Sequence, residues 1–181
     1  FLIKAFKSNE KVFDWRIPKE WKINEAYFKD YKGKKYANFK KNNLYVLNYS
    51  QPINKKISLK NLKKNIFTLK SKPKSIPYVT SYYKKRWGFC LDHKTFKNLK
   101  DPNYLAYIDS KLFKGKMNYA ELKIKGKSKK EILLCSYICH PSMANNELSG
   151  PSVLIFIAKW ILSLKNRFYS YWRRYGFYLF K

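Results

Sequence analysis

The chain has 181 residues, 45% hydrophobic and 19% aromatic, which is enough to bury a core and too apolar for an intrinsically disordered chain. Its 40 basic residues stand against 11 acidic ones, a net charge of +29, yet no run of about 18 uncharged apolar residues occurs and so no membrane-spanning helix is expected. The excess is almost all lysine spread along the chain, with arginine only at 16, 86, 167, 173 and 174. Recognition surfaces favour arginine for bidentate phosphate contacts, so nonspecific attraction to nucleic acid and other polyanions is expected rather than dedicated readout. The three cysteines are an odd number and no secretory signal is visible, which points to reduced thiols in the cytoplasm.

In chain order, residues 1–12 read as the end of an upstream element, and the opening at Phe1 within an apolar-basic pattern reads as a piece of a longer chain. Residues 13–115 form a block of short runs rich in Tyr, Phe, Val and Ile. The runs are divided by turn signals such as Asp30-Tyr31-Lys32-Gly33, Gln51-Pro52 and Asp101-Pro102-Asn103. Leu44–Tyr49 and Tyr104–Ile108 are the clearest strands of this β-rich block. Ser58, followed by Leu59, Leu62, Ile66 and Leu69, predicts one amphipathic helix with a serine N-cap. His93 falls among turn signals and is expected on a surface loop. Trp15, Trp21 and Trp87 are expected to anchor packing.

Residues 116–181 change character. Ala120–Lys125 predicts a strand, Gly126–Lys130 a turn, and Glu131–Cys139 a buried apolar strand whose Cys135 and Cys139 thiols are core. A polar loop over 140–150 and a buried helix near 151–165 follow, with Ser149 as N-cap and Pro151 in the first turn. A further strand is expected from Gly176. Strand, helix, strand with a crossover is the βαβ unit of a parallel sheet. Open α/β sheets place their ligands where a central strand ends and the polar loop begins. Within ten residues that loop offers the imidazole of His140, the amides of Asn145 and Asn146, the carboxylate of Glu147 and the hydroxyl of Ser149.

The run Cys139-His140-Pro141-Ser142-Met143-Ala144-Asn145, with Ser149-Gly150 after it, resembles a motif of zinc aminopeptidases. There a strand delivers a histidine ligand and an Asp-x-x-Ser-Gly supplies a bridging carboxylate. Three further stretches, Phe13–Trp21, Leu47–Pro52 and Ile76–Cys90, match in the right order. Together they are similar to a bacterial and archaeal aminopeptidase-like, M28-like family with an inserted domain of unknown function of the DUF4910 or DUF2172 type, over about residues 13–171.

That resemblance implies an α/β fold: a partial parallel-sheet zinc-aminopeptidase-like domain, 1–12 and 116–181, interrupted by a small β-rich inserted domain over 13–115. It implies a metallohydrolase whose metal-activated water cleaves an amino-terminal peptide bond or a related amide. It places His140 on the first histidine ligand and Asn146 on the bridging aspartate, with Glu147 beside it as the carboxylate on offer. An amide cannot bring a bridging aspartate's charge, so the implied zinc is mononuclear or lost. The general-base glutamate and later ligands of the resembled family fall beyond Lys181. The chain is therefore expected to be a truncated fragment without turnover. A polyanion-binding module and a non-functional truncated product are the alternatives.

Overall fold

The computed structural model describes residues 2–138 and 145–177, the last six of these by backbone alone. In chain order the elements are β1 (Leu2–Lys7), β2 (Lys11–Val12), β3 (Trp15–Arg16), β4 (Glu20–Lys29) and β5 (Lys35–Tyr36), then β6 (Ile53–Ser58), α1 (Leu59–Lys63), β7 (Ile66–Phe67), β8 (Phe89–Cys90) and α2 (His93–Lys97). After them come β9 (Asn103–Phe113), β10 (Lys116–Ile124), β11 (Glu131–Ile138), α3 (Asn145–Ser163) and β12 (Ser170–Phe177). The sheets are mixed and the helices few, an α/β-type fold. Contacts divide the chain into two compact units, one of Trp21–Phe113 and one joining the residues up to Glu20 to those from Lys114 onward.

The Trp21–Phe113 unit is built on a sheet in the order β5-β4-β9-β6. Its core is aromatic: Phe28 is fully buried and meets Phe89 and Tyr104 edge-on, with centroids 5.2 and 5.6 Å away. Trp21 is an anchor, 3% exposed, stacked on Tyr49 and donating its indole N–H to the Ser50 carbonyl at 3.0 Å. Ser58 caps α1 as its sequence predicts, but the helix stops at Lys63 and the chain turns into β7.

Two expectations for this unit fail. Leu44–Tyr49 is no strand: Asn43–Tyr45 is a single 3₁₀ turn, and only isolated bridges at Val46 and Asn48 follow. Asn42 accepts the Leu44 N–H at 2.9 Å and starts the turn, and at the far end Tyr49, stacked on Trp21, is in the left-handed region at φ 66 and takes the chain out of extended geometry. His93 is no surface loop residue. Asp92 accepts the Thr95 N–H at 2.8 Å and starts α2, which leaves His93 8% exposed, stacked on Phe96 and 2.9 Å from the Thr68 hydroxyl.

The other unit carries a sheet in the order β1-β10-β12-β11. β1 and β12 pair antiparallel with β10, and β11 pairs parallel with β12 through the α3 crossover. Turn 126–130 closes tightly. Gly126 lies so close to the Tyr169 carbonyl that no Cβ fits, and its N–H donates to the Ser170 hydroxyl at 3.1 Å. Arg167 fastens the far end of α3, donating to the Leu164 carbonyl at 2.7 Å and the Lys125 carbonyl at 3.2 Å.

Here too the expectations need correction. β11 is an edge strand among the described residues, not a central one, because β12 is its only partner. It is not buried either, because only the face of Leu134 and Ser136 is covered by α3: on the opposite face Leu133 and Tyr137 are each 56% exposed, and Cys135 is exposed rather than core. The following strand starts at Ser170, six residues before Gly176, because the register with β11 begins at Glu131↔Ser170.

Candidate functional site

The candidate site is the corner where β11 gives way to α3. β11 runs parallel to β12, so α3 must return along the sheet, and its amino terminus lies at the end where β11 finishes. Packing fixes the corner. Leu134 of β11 rests on the small cluster of Ala120 and Leu154, which ties β11, β10 and α3 together.

The helix begins at Asn145, not near 151. Asn146 and Glu147 are therefore first-turn helical residues instead of loop residues. Ser149 and Pro151 lie inside the helix, so Ser149 is not the cap. Pro151 has no N–H to give the Glu147 carbonyl. The helix nonetheless runs on through Pro151, with serine hydroxyls bonded to backbone carbonyls on either side of it. The Ser149 hydroxyl donates back to the Asn145 carbonyl at 2.6 Å, and Ser152 to Leu148 at 2.7 Å.

Gly150 explains why the Ser-Gly pair belongs here. A Cβ on Gly150 would stand 2.5 Å from the Ser136 hydroxyl oxygen of β11. Only glycine lets the helix approach the strand so closely. Ser136 is the site residue that sequence reasoning missed. The strand's period of two marks the even-numbered residues of β11 as one face, but nothing in the sequence says which position meets the glycine.

Glu147 is 5% exposed, turned inward in the first turn of α3, where the helix dipole favours a negative charge. The Asn146 side-chain amide donates to Glu147 Oε1 at 3.4 Å. Asn146 and Glu147 are thus brought together. The third candidate, His140, two positions past the end of β11, lies outside the described residues, as do Cys139 and Ser142. Among the described residues no group of three His, Cys, Asp or Glu side chains is gathered for a metal ion. One carboxylate and one neutral amide fall short of the three protein ligands a catalytic zinc takes, so the described donors alone do not fit zinc. They can orient a hydrogen-bonding group and supply a single negative charge.

The remaining titratable chemistry lies in the Trp21–Phe113 unit. Burial pushes the Cys90 thiol up to about 12, opposed only slightly by a hydrogen bond to the Val79 backbone. A thiol held protonated is no nucleophile. Burial also raises Tyr36, with the nearby Asp30 carboxylate adding to it, and raises Tyr104.

Comparison with known proteins follows the same division. The profile of DUF2172, a domain of unknown function, matches residues 20–111. A Clostridium acetobutylicum protein, named for polysaccharide biosynthesis and an aminopeptidase-like domain, is 47% identical over 169 residues, covering 93% of this chain and 39% of its own length. A crystal structure from the same organism, of a protein named as a peptidase, superposes with a TM-score of 0.87 at 45% identity. It covers 96% of this chain, which covers 41% of it. The chain thus spans about two-fifths of the length of the relatives it matches.

Proposed function

The chain belongs to the DUF2172 family, and from that premise we propose that it carries one corner of an aminopeptidase-like hydrolytic site at the junction of β11 and α3. The observation that carries the reading is Glu147. It is a carboxylate turned inward in the first turn of a helix that begins where a strand ends, and the sequence places a histidine in the intervening residues. Names given to the relatives, aminopeptidase-like and peptidase, support the class of chemistry. The substrate class is a peptide or a related small amide.

Zinc is the metal proposed for this corner, as a mononuclear site. His140, Glu147 and Asn146 would be its ligands on this chain, and a bound zinc would supply Lewis acidity and an activated water. Glu147 is the only one that brings negative charge. Asn146 contributes its amide dipole and its hydrogen bond to Glu147. These residues include no general base beyond Glu147 itself, so no hydrolytic step is assigned to the chain alone. A cytoplasmic location is part of this proposal, on the odd cysteine count of the sequence.

The test is hydrolysis of aminoacyl chromogenic substrates at added zinc. The isolated chain should show no turnover. Turnover that survives purification and disappears in His140→Ala would contradict the incompleteness of the site.

A second reading has one specific observation behind it. Lys123, Lys125, Lys127 and Lys129 line a shallow open cavity of about 270 Å³ at the turn between β10 and β11, together with Glu131, whose carboxylate pairs with Lys123 at 3.0 Å. That arrangement suits a polyanion. A binding constant for heparin or nucleic acid that falls steeply with salt, and that drops most on charge reversal at these four positions, would favour it.

A further inference from the structure

We propose that the flanks of α3 and the open edge of β11 are a docking surface for further polypeptide that extends this α/β unit, namely the part of the C. acetobutylicum relatives that this chain does not match. This inference stands on packing alone and holds whether or not the corner is hydrolytic. The stripe of α3 that faces its own sheet is narrow: Glu147, Pro151, Leu154, Ala158 and Ile161. At 3.6 residues per turn, Leu148, Ile155 and Leu162 fall on one flank and Val153, Phe156 and Trp160 on the other. All six are 48–72% exposed. Between Val153 and Leu162 the single polar residue is Lys159. A helix whose two flanks are apolar, with only a narrow polar strip outermost, is one that is buried on its flanks as well as underneath.

β11 makes the same demand in its own terms. Among the described residues its eight-residue outer edge has no strand beside it. Parallel strands belong inside sheets covered on both faces, and a bare edge with Leu133 and Tyr137 exposed invites another strand. A helix to each side of α3 and a strand beside β11 is the next increment of a βαβ sheet.

The choice of occupant follows from charge and from the relatives. A second copy would bring another +29 against this one. A membrane-surface helix needs a basic polar face opposite its apolar one, and the outer strip of α3, Asn145, Ser149, Ser152, Lys159 and Ser163, carries a single basic residue. The relative of known structure holds this same fold, at a TM-score of 0.87, beside additional polypeptide, since only 41% of that chain is matched.

Two experiments test it. In the first, the part of the C. acetobutylicum relative that this chain does not match is co-expressed with the 181-residue chain as a separate tagged polypeptide. A one-to-one complex should co-purify, β11 amides should gain protection from hydrogen exchange, and the double variant Phe156→Lys/Trp160→Lys should abolish the complex. Tyr31→Ser, at an exposed aromatic of the other unit, should leave it intact. In the second, this chain replaces the matched portion of the relative in a chimera. There the double variant should lower the melting temperature sharply, while in the isolated chain, where both side chains are exposed, it should leave it within a few degrees. Equal effects in both settings, a complex indifferent to the double variant, self-dimerisation of the chain through these positions, or vesicle binding that depends on them would each overturn the proposal.

Discussion

Gly150→Ala puts the closeness of α3 and β11 to a quantitative test. Elsewhere in a helix, alanine for glycine stabilises by about 1 kcal/mol, because glycine loses more backbone freedom on folding. Here the new methyl would stand 2.5 Å from the Ser136 oxygen, about an ångström inside ordinary contact, and 3.5 Å from the Ser136 Cβ, which is ordinary contact. Overpacking of that kind costs roughly 1–3 kcal/mol, so the single variant should be net destabilised by about 1 kcal/mol. Ser136→Ala removes the offending oxygen and leaves only the 3.5 Å approach. In that background Gly150→Ala should be neutral or stabilising by up to about 1 kcal/mol. The double-mutant cycle should therefore show a coupling of about 1–2 kcal/mol. Urea unfolding followed by far-ultraviolet circular dichroism measures all four proteins. If Gly150→Ala stabilises equally in both backgrounds, the helix does not sit on the strand as described and the corner geometry is wrong.

Other expectations can be checked in the same preparations. Ser50→Ala should cost about 1–3 kcal/mol, because the Ser50 hydroxyl donates to the Leu47 carbonyl at 2.6 Å and accepts the Gly88 N–H at 3.2 Å in a fully buried place; denaturant midpoints decide it. Iodoacetamide at mildly alkaline pH should modify exposed Cys135 quickly and Cys90 only on unfolding, since burial holds the Cys90 thiol up at about 12; peptide mass mapping reads both sites. The native state therefore keeps a proton that the unfolded chain releases near pH 9, so stability is present below that pH and declines as pH rises toward 12, by at most about 1.4 kcal/mol per unit. Unfolding midpoints at pH 8 and 10 should fall more steeply in the parent chain than in Cys90→Ala.

Much of the fold was legible in residue order. The turn at Gly126–Lys130 and the apolar run after it predict β10 and β11, and the apolar run from Val153 predicts α3. The helix start was not legible. Pro151 after Ser149-Gly150 reads as a first-turn proline, and the signal that outweighs it is three-dimensional: back-bonded serine hydroxyls and a glycine pressed on Ser136. Leu44–Tyr49 has strand composition, but the positive φ of Tyr49 is a tertiary choice, set where its ring stacks on Trp21. α2 could have been found, because Asp92 three residues before Thr95 is an N-cap pattern. The exposure of β11 and α3 could not, since a run that is apolar at every position does not say which side faces inward. At the candidate corner, the sequence shows Asn146 and Glu147 side by side, but not that Glu147 turns inward or that Ser136 lies against Gly150.

The central claim, that the β11–α3 junction is one corner of a hydrolytic metal site, is tested most directly by calorimetric titration of zinc. The parent chain is compared with His140→Ala and Glu147→Gln, each shown by circular dichroism to be folded. The account predicts weak binding at one site in the parent, consistent with a ligand set in which one of three members is a neutral amide, and its loss in both variants. Zinc binding that persists unchanged in both, or no binding by the parent at all, would contradict it.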